Sequence, residues 1–111
     1  MIVNVEFWTA LMAGKPPDEP AGERSLGALT ERHGRAYAAF ADYARRAREE
    51  GRLDDTYVDH YDVRKSVGGT ILHVVLHNAE HRTEAVHILA RLGVPDVEVD
   101  HGLWDYELLN P

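Results

Sequence analysis

The stretch LHVVLHNAEHRTE, residues 72–84, carries histidines at positions 73, 77 and 81, each four residues from the next. On a helix, that spacing places the three imidazoles one turn above another. Around and beyond the stretch, Ile71, Leu72, Val74, Val75, Leu76, Ala79, Ala85, Val86, Leu89 and Leu92 project to one broad apolar face at about 100° per residue. The periodicity predicts a helix over residues 68–92, stopped by Gly93 and Pro95 in LGVPD.

Working outward, a second helix of equal length is expected over residues 26–50. Ser25 stands at its N-cap, and Leu26, Leu29, Ala36, Tyr37, Phe40, Tyr43, Ala44 and Ala47 make one stripe. Gly51 is its expected stop. Arg45, Arg46 and Arg48 near its end suit the helix dipole and are expected to be solvated. Each long helix would span about 37 Å, and matched lengths suit a helical bundle. Residues 2–14, IVNVEFWTALMAG, are apolar on nearly every side, interrupted only by Asn4, Glu6 and Thr9. A helix apolar all round is expected to be buried all round. The prolines and glycines of residues 14–25 make a loop. Residues 52–66, RLDDTYVDHYDVRKS, show no helical period and are expected to be partly extended, as a functional segment or a crossover. The tail VEVDHGLWDYELL, residues 97–109, is expected to hold one more short helical turn. The reading is thus all-α, with three main helices and a short C-terminal tail in one domain over residues 1–111.

Composition narrows the function classes. Without cysteine the chain forms neither a disulfide nor a thiolate metal site. A formal net charge of −7 argues against nonspecific nucleic-acid binding. No apolar run approaches a membrane span, and the first residues do not read as a signal peptide, so a cytoplasmic location is expected.

Two imidazoles at i and i+4 can chelate one divalent ion, because the helix fixes both donors in advance. Seven histidines scattered at random over 111 residues would give roughly 0.4 such pairs, and this chain has two, which makes the spacing suggestive without deciding the matter. Helical projection favours His77 and His81. His81 lies on the flank of the apolar face and His77 on its border, whereas His73 and His87 turn to the polar side with Glu80, Glu84 and Arg91. Asn78 and Arg82 project into the apolar sector, where polar groups need partners. His33 falls in the middle of the preceding stripe and is expected as a hydrogen-bonded core residue; His60 and His101 lie in irregular segments. HNAEH, residues 77–81, also fits the H-x-x-E-H zinc-protease pattern, but such proteases need a larger fold and Glu80 turns to the solvent side.

Residues 71–107, ILHVVLHNAEHRTEAVHILARLGVPDVEVDHGLWDYE, resemble the DinB-like superfamily of metal-binding four-helix bundles. The resemblance rests on H-x-x-x-H-R at residues 77–82, then LARLG, then a short acidic and aromatic tail. VEFWTALMAG, residues 5–14, resembles the end of that family's second helix and the loop after it. EHRTE departs from the commoner H-H-R-G-Q at Glu80, Thr83 and Glu84. The resemblance implies a nickel or zinc site of three histidines, of which His77 and His81 are two. The third would fall at Met1 or beside it, so the chain is expected to lack the family's first helix. Glu6, His33 or a second subunit could replace that ligand. The implied activity is metal-dependent hydrolysis or thiol-dependent transfer on a small molecule. The alternative is a non-catalytic bundle that acts as an oligomeric structural or binding module. Three helices do not complete a four-helix core, and Ile2, Val3, Val5, Phe7, Trp8, Leu11 and Met12 cannot all face one helix. Each left in water forgoes roughly 1.5–3 kcal/mol, so a homodimer is expected.

Overall fold

In the computed structural model, three helices end in the same way. Helix α1 (Ile2–Met12), helix α2 (Leu26–Glu49) and helix α3 (Val67–Arg91) are followed by Gly14, Gly51 and Gly93, with φ of 71°, 68° and 88°. The left-handed glycine folds the next amide back onto the last turn. Lys15 donates to the Ala10 carbonyl at 2.9 Å, Arg52 to Ala47 at 2.8 Å and Val94 to Leu89 at 2.9 Å. The structure describes residues 2–16, 24–95, 97 and 107–110. The ligand position at Met1, His101 and most of the tail lie outside them; residues 107–109 form a helical turn, as expected for the tail's end. The chain divides into two units, Met1–His77 and Asn78–Pro111, with the boundary inside α3. Among the described residues no helix is long and apolar enough to cross a membrane.

The core of the first unit is small. Val5 and Met12 of α1 meet Ala36, Phe40, Tyr43 and Ala47 of α2, and Val67 and Val74 of α3. Ser25 caps α2 as expected, its hydroxyl accepting from the Ala28 amide at 3.2 Å. The Met12 carbonyl belongs to the last turn of α1, where the chain turns off at Gly14 and leaves carbonyls without an intrahelical amide. The Tyr43 hydroxyl donates to that carbonyl instead, at 2.9 Å.

The segment of residues 52–66 is a hairpin, a small addition to a helical protein. Strand β1 (Thr56–Val58) pairs antiparallel with strand β2 (Arg64–Ser66), Tyr57 opposite Lys65. Two three-residue strands are too short to show an alternating pattern, so periodicity gave only the loss of helix. Asp59 closes the turn: its carboxylate accepts from the amides of Tyr61 and Val63 at 2.9 and 3.0 Å. The hairpin is tied to α3 by the Tyr57 hydroxyl on Thr70. Burial pushes the Tyr57 pKa up, against the lowering effect of the Thr70 hydrogen bond.

Four expectations about faces are corrected. The first helix is not buried all round: only Val5 and Met12 are buried, and Val3 is exposed. The broad apolar face of α3 narrows to Val67, Thr70, Val74 and Asn78, while Leu72, Val75, Leu76 and Leu92 stand in solvent. Asn78 is buried as expected, but Arg82 is exposed. His33 is exposed rather than a core residue, its ring centroid 4.5 Å from that of Tyr37. One turn of helix shows about a third of its circumference to a neighbour, which is narrower than the apolar arc of this sequence.

Candidate functional site

His73, His77 and His81 all lie on α3. His77 and His81 are half-buried, whereas His73 and His87 are exposed, as their projection implied. His77 stacks on His73, with centroids 5.4 Å apart and an interplanar angle of 19°. The Nδ1 of His81 lies 3.7 Å from a carboxylate oxygen of Glu84, one turn on. Glu80 is exposed, in keeping with its expected solvent-side position.

Trp8 organises the surroundings of His73. Its ring meets His73 edge-on at 5.4 Å and His60 at 5.8 Å. Phe7 packs edge-on against both Trp8, at 5.4 Å, and His60, at 4.8 Å. Sequence reasoning passed over His60 because it sits in an irregular segment. Only the pairing of β1 with β2 carries the turn at Asp59–His60 to Phe7 and Trp8 in the middle of α1, and the sequence holds no short-range signal of that pairing.

Of the expected substitutes within the chain for a third ligand, Glu6 is paired and His33 is exposed. A carboxylate oxygen of Glu6 lies 2.8 Å from Nε of Arg32, and His33 rests on Tyr37 in solvent. Among the described residues no group of three or more His, Asp or Glu side chains is gathered to hold a metal ion.

Beside His73, a cavity of about 350 Å³ opens between Trp8 and the start of α3, lined also by Arg64, Lys65, Ser66, Gly69 and Thr70. Ser66 caps α3 through the Gly69 amide at 3.0 Å. A Cβ on Gly69 would stand 2.7 Å from the Ser66 hydroxyl oxygen, so the cap and the glycine go together.

Comparison with known proteins gave no match: no family model, no curated protein and no solved structure aligns significantly with this chain.

Proposed function

We propose that this chain is a divalent-metal-binding helical protein of the DinB-like kind, with His77 and His81 as ligands and nickel or zinc as the ion. The observation that carries the reading is the pair of half-buried imidazoles one turn apart on a continuous helix. That donor set suits a borderline divalent cation, and a helix presents it with little reorganisation. Bound there, such an ion would supply Lewis acidity and lower the pKa of a water or thiol. The chemistry that fits is hydrolysis or thiol-dependent transfer on a small molecule, in a cytoplasmic protein.

A second reading, a non-catalytic bundle serving as an oligomeric binding module, is favoured by the engagement of Glu6 with Arg32. The exposed Leu72, Val75 and Leu76 on α3 support a homodimer under either reading, since clustered large apolar side chains in water mark association surfaces.

The test is metal content and zinc titration of untagged protein, wild type against His77→Ala and His81→Ala. Wild type should bind one equivalent and each variant should weaken binding at least tenfold. Because imidazole ligates in its neutral form, acidification should also weaken it. Equal, near-zero occupancy in all three proteins would overturn the site.

A further inference from the structure

We propose that the cavity between Trp8 and the start of α3 binds a small organic oxyanion with a planar apolar body, an aryl phosphate or aryl carboxylate. The lining sets Arg64 beside an indole wall and the His73 imidazole and contains no carboxylate; Lys65 also lines it, but successive strand residues face opposite ways and its ammonium lies toward Asp59.

Arg64 is the anchor. Its Nη1 donates to the Thr56 hydroxyl at 2.9 Å, which orients the guanidinium, and no carboxylate among the described residues pairs with it. A guanidinium has five N–H donors, so most remain for a bidentate grip on an oxyanion. Lys65 contributes less, because its ammonium lies 3.7 Å from the buried Asp59 carboxylate. The backbone at the start of α3 is not the ligand-binding element. The amides of Val67, Gly68 and Gly69 already donate to the Asp55 carbonyl, the Leu53 carbonyl and the Ser66 hydroxyl. Side chains must therefore hold the anion, and Trp8 selects for a flat apolar body beside it. At about 350 Å³ the cavity accommodates a single substituted ring.

The inference stands apart from the metal reading, because none of these groups is His77 or His81. The experiment is a two-dimensional amide NMR titration of the full, EDTA-treated chain with phenyl phosphate, benzoate and inorganic phosphate. The amides of Ser66, Gly69 and Thr70 and the Trp8 indole should shift saturably with phenyl phosphate or benzoate. Which of the two binds tighter separates phosphate from carboxylate recognition. Inorganic phosphate should bind at least fivefold more weakly than phenyl phosphate. Arg64→Gln should weaken binding about tenfold, a loss of about 1.4 kcal/mol, and Lys65→Gln should weaken it less. Arg64 is solvent-exposed, so its replacement leaves the core intact. Arg35→Gln, at an exposed cation outside the cavity lining, should bind the aryl anions as wild type does. The proposal is overturned if neither aryl anion gives saturable shifts by 10 mM, if Arg64→Gln binds equally well, or if inorganic phosphate binds as tightly as phenyl phosphate.

Discussion

Tyr43→Phe removes one oxygen atom and no packing volume. That oxygen matters because the Met12 carbonyl lies in the last turn of α1 and has no intrahelical amide to accept from. The chain turns off at Gly14, and the Tyr43 hydroxyl supplies a donor to the Met12 carbonyl at 2.9 Å in a buried position. Phenylalanine fills the same space but leaves the carbonyl dry and without that donor. An unsatisfied buried acceptor costs about 1–3 kcal/mol, more than the net value of an average hydrogen bond, because its desolvation is no longer offset. An entropy of unfolding near 2.1 cal/mol/K per residue makes 1 kcal/mol worth about 4 °C in a chain of this size. The variant should therefore melt about 4–13 °C below wild type. Thermal and urea unfolding followed by circular dichroism measure the difference. Tyr61→Phe, at a residue 76% exposed, is the control and should change stability by less than about 0.5 kcal/mol. Matching melting temperatures for Tyr43→Phe and wild type would refute the claim that this hydroxyl completes the end of α1.

Gly34 lies inside α2 with open space where a Cβ would go, so Gly34→Ala should stabilise by about 0.5–1 kcal/mol in urea unfolding. Gly69→Ala should give no such gain, since the new Cβ displaces the Ser66 cap, typically worth about 1 kcal/mol, which offsets the helix-propensity gain. Asp59 ionises below the usual carboxylate range: burial pushes its pKa up, but the Val63 and Tyr61 amides outweigh it, with the charges of Lys65 and His60 helping. A folded-state pKa below the unfolded value gives stability that is present above the unfolded pKa and lost as pH falls through the folded one. Asp59→Asn should thus be less stable at pH 7, and the gap should close below about pH 4; a gap constant from pH 7 to pH 2 would contradict this. Light scattering after size exclusion should find a dimer, which Leu76→Glu on the exposed apolar face of α3 should disrupt; a folded 12.5 kDa monomer at micromolar concentration would refute it.

The sequence alone determined what is local. Helix spacing, the Ser25 cap and the stops at Gly51 and Gly93 depend on residues within a turn of one another, and they placed α2 and α3 to within a residue. The same spacing separated the half-buried His77 and His81 from the exposed His73 and His87, because direction around a helix follows from residue number. Tertiary structure decided what depends on a neighbour. Which arc of α3 is covered is set by where α1 and α2 can touch it, so Val74 is buried while Leu72 and Leu76 are not. The hairpin exists because Asp59 satisfies two amides and Tyr57 reaches Thr70, contacts that leave no period in the chain. His60 meets Trp8, and Arg64 joins His73 around one cavity, only through that hairpin, since pairing of distant segments carries no signature at the scale of a helical turn.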